Sequence, residues 1–114
     1  MKVQISYGDK ILSKDILLAD TLLARLIGLM FKPKLVGAEG LLIQPCNSIH
    51  TFFMRYSLDI VFLSRDNRIV KILRDVRPWR MTWIYFRASQ TLELPAGKLP
   101  SDLKEGDKLE VKNV

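Results

Sequence analysis

Apolar residues in this chain arrive in short runs, each stopped within a few positions by glycine, proline, asparagine or aspartate. A chain punctuated this way folds into short elements joined by tight turns, and β-strands are the element that short runs support. Val3 to Ser6 alternates and Gly8-Asp9 marks a turn before Ile11-Leu12, which predicts an opening hairpin. Gly37 and Gly40 make a loop ahead of a short buried strand at Leu41-Leu42-Ile43. Leu58 to Ser64 is apolar on both faces. Its expected partner is Ile69 to Leu73, across Asp66-Asn67, residues that tolerate the positive φ of a tight turn. Pro78 breaks that second strand. Trp83 to Ala88, Thr91 to Leu94 and Lys108 to Lys112 read as three more strands, with one short helical turn at Leu99 to Leu103.

One segment departs from this pattern. Asp20 or Thr21 supplies a capping oxygen, and Leu22, Leu23, Leu26, Ile27 and Met30 recur at three- and four-residue spacing, which predicts an amphipathic helix ended by Pro33. Gly28 inside it costs about 1 kcal/mol relative to alanine and points to close packing on a strand. The expected fold is mainly β (α+β): a small barrel-like or sandwich sheet of about seven strands with one substantial helix packed on it. The 114 residues suit a single domain spanning 1–114.

Composition removes several classes. A hydrophobic share of 48% and a mean hydropathy of +0.09 exclude a disordered chain. Asp20 and Arg25 interrupt the apolar residues around Ile16 to Phe31, so no membrane-spanning helix is expected. Gln4, Ser6, Gly8 and Asp9 follow Met1-Lys2 where a signal peptide would be apolar. Cys46 is the sole cysteine, so no internal disulfide forms, and neither a metal nor another cofactor is expected. These features predict a soluble, reduced, cytoplasmic domain. The net charge of +6 is concentrated: residues 65–87 hold seven Arg and Lys against Asp66 and Asp75, five of the six net positive charges. Such a face attracts nucleic acid, anionic lipid or an acidic partner; the plain alternative is that it keeps a sheet edge soluble.

Candidate chemistry gathers in Cys46 to Leu63, which contains the sole cysteine and the sole histidine four positions apart. Cys46 and His50 are the weak candidates for a nucleophile–base pair. In a strand they would lie about 13 Å apart, too far for proton transfer, whereas a helical turn would bring them together. His50, Asp59 and Glu93 could share a metal, but they lack the paired spacing of a zinc site. Asp59 lies in an apolar strand, where an unpaired charge is expensive, so either an Arg55–Asp59 brace or an anion-binding pair of His50 and Arg55 follows. Ser48, His50, Arg55 and Asp59 together form the candidate ligand pocket. Trp79, Trp83, Tyr85 and Phe86 are interleaved with Arg77, Arg80 and Arg87, a mixture that stacks and neutralises single-stranded nucleic acid. Arg74, Arg77, Trp79, Arg80 and Arg87 are the candidate partner patch, with Trp79 in a loop, Trp83 and Tyr85 on one strand face, and Ile84 and Phe86 on the other. Gly97-Lys98 lacks the spacing of a phosphate loop.

The chain from Leu17 onward resembles the DUF192 family of uncharacterised conserved proteins. Ala19-Asp20-Thr21, Arg25, Gly28-Leu29-Met30, the Cys46–Leu63 segment, Pro78-Trp79, Leu92-Glu93-Leu94-Pro95-Ala96-Gly97 and Gly106-Asp107 carry the resemblance in that order. Many members read Phe-Trp-Met-Lys-Asn where this chain reads Phe52-Phe53-Met54-Arg55-Tyr56, so it resembles a Ser-Ile-His-Thr branch. Family members often carry a secretion signal, which this sequence does not display. The family label implies no assigned reaction. The residues favour a non-enzymatic binding or accessory module with a pocket around Cys46–Asp59, acting on a small ligand or a protein partner. The alternatives are a Cys46/His50-dependent hydrolase or transferase, and a nucleic-acid or acidic-partner binder using the 65–87 segment.

Overall fold

The computed structural model describes residues 1–20, 39–52, 54 and 56–114. They form seven strands: β1 (Lys2–Tyr7), β2 (Lys10–Ala19), β3 (Gly40–Ile43), β4 (Leu58–Leu63), β5 (Ile69–Val76), β6 (Gln90–Pro95) and β7 (Glu110–Asn113). All seven join one sheet in the order β5-β4-β6-β3-β2-β1-β7. Local chemistry places the hairpins. Gly8, at φ 59, turns β1 into β2, and Asn67, at φ 67, turns β4 into β5. β2 and β3 pair in parallel, with Ile16 opposite Gly40, and the other ladders are antiparallel.

β4 and the first five residues of β6 are buried on both faces; β4 is accordingly a nearly continuous apolar run, whereas β6 buries Gln90, Thr91 and Glu93 alongside Leu92 and Leu94. The two faces carry separate cores. Leu42, Val61, Leu63, Leu92 and Leu94 share one with Val3, Ile5 and Ile16, closed below by Leu99, Leu103 and Leu109. Leu41, Ile43, Leu58, Ile60 and Phe62 share the other with Ala19, Ile49 and Ala88. Gly40 is required where β3 passes between its neighbours: a Cβ there would stand 2.8 Å from the Glu93 carbonyl oxygen and 2.5 Å from Leu94 Cδ2.

These findings correct the expected architecture. The described residues are all-β in one sheet, neither a sandwich nor a sheet with a substantial helix packed on it, and no helix occurs among them. The helical spacing at Leu22 to Met30 lies outside the described residues. The sheet also does not close into a barrel. Its edges, β5 and β7, approach at an isolated bridge between Arg68 and Lys108, flanked by bonds from Ile69 N–H to the Asp107 carbonyl (2.8 Å) and from Leu109 N–H to the Asn67 carbonyl (2.9 Å). Turns precede β7, with Gly106 at φ 90, so the chain swings into register with β5 at one residue and then leaves it.

The expected strand at Trp83–Ala88 is also absent, and β5 leads to β6 through an irregular loop. Thr82 N–H and Tyr85 N–H are given to the Ile49 and Asn47 carbonyls (2.9 Å each) rather than to a neighbouring strand, and Ala88 N–H turns back to Tyr85 (2.8 Å). The expected alternation fails with it: Trp83, Ile84 and Phe86 are all exposed, while Tyr85 packs inward on Phe62 at 4.6 Å between ring centroids.

Candidate functional site

The Cys46–Phe52 segment is fastened to the second core face. Ile49 is buried there, Cys46 N–H bonds to the Ser89 carbonyl (3.1 Å), and the Thr91 hydroxyl on β6 donates to the Cys46 carbonyl (3.2 Å). Along its outer side this segment is laced to the loop that follows β5. Thr51 N–H donates to the Arg80 carbonyl (2.9 Å), Trp79 N–H donates to the Thr51 carbonyl (3.0 Å), and His50 pairs with Met81 as an isolated antiparallel bridge. The Thr82 hydroxyl accepts Ile49 N–H (2.9 Å). The motif therefore works as a brace for a second loop.

Thr51 is the hinge pin of this arrangement. It is fully buried, and its hydroxyl donates to the Arg77 carbonyl (2.7 Å) and accepts Arg80 N–H (2.9 Å). Between those two arginines Trp79 stands at φ 63, a left-handed conformation that costs a bulky residue about 1–3 kcal/mol. The Thr51 bonds on both sides hold that turn. The indole stacks on Phe52 (5.7 Å, 26°), which in turn lies 4.9 Å from the His50 ring. Nothing local in the sequence marks Thr51, whose partners lie 26 and 29 positions away.

The braced loop displays what it would ordinarily hide. Trp79, Met81, Trp83, Ile84 and Phe86 are five of the eight exposed large apolar residues among the described residues; Trp83 and Phe86 are 83% and 85% exposed. Isolated apolar side chains on a surface need no explanation, but a cluster on one loop does. Arg77, Arg80 and Arg87 are exposed among them, and residues 76–89 contain no acid. No ion pair to these three arginines or to Arg74 occurs among the described residues. Arg77 and Arg80 line an open groove of about 490 Å³ together with Lys71, Arg74 and one acid, Asp75. Arg87 lines a second one of about 280 Å³ with Lys71, Ile84 and Phe86, so Lys71 on the β5 edge, itself paired with Glu105 (3.6 Å), joins the two. Arg74 stands apart in one respect: its guanidinium donates to the Leu99 and Pro100 carbonyls (3.1 and 2.7 Å).

The other sequence candidates do not converge. Asp59 pairs across the ladder with Leu94 and projects to the first core face; Glu93 pairs with Ile60 and projects to the second, the one that Ile49 covers. His50, Asp59 and Glu93 thus cannot surround one ion. Asp59 is buried and satisfied by main chain: Oδ1 accepts Asp75 N–H (2.9 Å), and Oδ2 accepts Gly97 N–H (3.0 Å) and Leu99 N–H (3.3 Å). It cross-ties β4, the end of β5 and the turn after β6. Arg55 lies outside the described residues. Ser48 and His50 remain on the brace, half-buried, with Asp59 on the far side of the sheet from them. The Cys46 thiol donates to the Ser48 carbonyl (3.1 Å), and His50 Nδ1 accepts Phe52 N–H (3.3 Å). Glu93 is 4% exposed, and burial pushes its carboxyl up to about 8.

A single open sheet with a braced, basic and apolar loop beyond its β5 edge defines a small domain whose described residues are all β, with a surface display and no assembled catalytic set among them. The chain belongs to the DUF192 family, described as "Uncharacterized ACR, COG1430", whose model matches residues 3–111. It is 37% identical over 99 residues to the UPF0127 protein PH1112 of Pyrococcus horikoshii, covering 83% of this chain and 85% of that protein. Its fold is similar to a protein of unknown function from Novosphingobium aromaticivorans (TM-score 0.75, 24% identity, 96% of this chain and 84% of that one). It is also similar to a structure described as a "putative transcription regulator" from Sinorhizobium meliloti (TM-score 0.74, 22% identity, 96% of this chain and 92% of that one). At these identities the likeness concerns the fold alone. No helix among the described residues is long and apolar enough to cross a membrane.

Proposed function

We propose that this protein is a non-enzymatic binding module that docks an anionic partner through the loop between β5 and β6. The observation that carries this reading is the coincidence, on one backbone-braced loop without acids, of exposed Arg77, Arg80 and Arg87 with five exposed large apolar side chains. The three arginines, without an ion pair among the described residues, supply attraction and steering, and the apolar residues supply area to bury. The brace lowers the ordering cost of binding, because the loop's backbone is already bonded to residues 47–51. The Cys46 thiol donates to the main chain of its own segment and His50 Nδ1 accepts from it, which supports a bracing role over a catalytic one.

Charge-matched variants test this on immobilised heparin, used as a generic polyanion. Removing Arg77, Arg80 and Arg87 together should lower the eluting salt concentration well below that of the wild type. Removing Lys10, Lys14 and Lys112, the same charge from elsewhere, should lower it much less. Equal effects from the two triple variants would mean that overall charge alone drives retention, and the loop would lose its role.

A further inference from the structure

Resting on that reading, we infer that the anionic partner is a phospholipid surface, into which Trp83 and Phe86 insert while Arg77, Arg80 and Arg87 meet the headgroup phosphates. Trp83, Phe86 and Met81 are 83%, 85% and 74% exposed, so most of each side chain is free of the protein body. A folded protein partner would need a matching pocket for each; a lipid interface takes projecting apolar groups of any shape.

The residue types point the same way. Tryptophan suits the boundary between acyl chain and headgroup, with an apolar body and one N–H donor. Two of the five apolar residues, Met81 and Ile84, have no ring to offer a base, and Trp79 already has Phe52 stacked against it. A stacking platform for single-stranded nucleic acid would waste that area, whereas a bilayer uses all of it. Lipid insertion also needs cations near the inserted residues in excess of anions; residues 76–89 carry three arginines and no acid, against Asp75 in the groove of Arg77 and Arg80 and Glu105 in a cleft with Arg87. Asp75, at the end of β5, gives its N–H to Asp59, and in that groove it is outnumbered by Lys71, Arg74, Arg77 and Arg80. Each arginine near an anionic surface contributes about a fivefold gain in partitioning, and screening by salt removes much of it.

The test uses the full chain with phosphatidylcholine vesicles and with mixed phosphatidylcholine–phosphatidylglycerol vesicles, read by co-sedimentation and by tryptophan emission. W79F leaves Trp83 as the reporter. Expected are association with the mixed vesicles at low salt, a blue shift of Trp83 emission, and quenching by brominated acyl chains. The W83A/F86A variant should lose about tenfold or more in partitioning, and R80A and R87A about fivefold each. All these side chains are exposed, and circular dichroism should show that the variants keep the wild-type fold. No association with the mixed vesicles at low salt overturns the lipid inference. If heparin retention still depends on the three arginines, the binding surface stands without it; if that also fails, both readings fall. Oligothymidylate binding that W83A/F86A abolishes, without vesicle binding, would likewise overturn the lipid inference and assign the surface to nucleic acid.

Discussion

Replacing Glu93 with glutamine should stabilise the protein by an amount that grows with pH. Glu93 lies within β6, opposite Leu41 on one side and Ile60 on the other, and burial raises its carboxyl from 4.5 to about 8. Between those values the folded protein keeps a proton that the unfolded chain has released. The unfolded state then binds fewer protons, so stability falls as pH rises, by about 1.4 kcal/mol per pH unit. The effect is nil below about pH 4.5, where both states are protonated. It reaches about 5 kcal/mol by about pH 8, comparable with the whole stability of a small domain. Glutamine has nearly the shape of the protonated acid and does not titrate. Urea denaturation of wild type and E93Q, followed by tryptophan emission at about pH 4, 6 and 8, isolates the difference. The two proteins should differ by no more than about 1 kcal/mol at the lowest pH, and E93Q should lead by about 3–5 kcal/mol at the highest. A difference that stays flat across the series would mean that Glu93 titrates alike in both states, and the burial argument would be wrong.

Two further substitutions probe the ties around the site. T51V removes a buried hydroxyl and strands Arg77 C=O and Arg80 N–H, so it should cost about 1–3 kcal/mol and accelerate hydrogen exchange at the Arg80 amide. An unchanged exchange rate there would show that the brace does not depend on the hydroxyl. D59A leaves the N–H groups of Asp75, Gly97 and Leu99 without their acceptor and should cost about 3–5 kcal/mol. Chemical denaturation measures this loss, and a change below about 1 kcal/mol would contradict the cross-tie.

The strands of this protein are largely legible from its residues alone, because the signals that make them are local. Gly8 and Asn67 adopt the positive φ their turns need, and the double-sided apolar runs at Leu41–Ile43 and Leu58–Leu63 are the buried strands β3 and β4. The basic character of residues 65–87 is equally plain from composition. What the residues could not reveal depends on partners distant in the chain. Trp83–Ala88 has the make-up of a strand, yet Thr82 and Tyr85 bond to Ile49 and Asn47, so the segment becomes a loop and exposes its aromatics. Asp59 and His50 are nine positions apart in one motif, but strand pairing sends Asp59 to the face opposite the one that neighbouring Ile49 covers. Side-chain alternation and turn chemistry act over two to four residues, while the side of the sheet on which a group lies, and the atoms it meets there, are set by which strands pair and in what register.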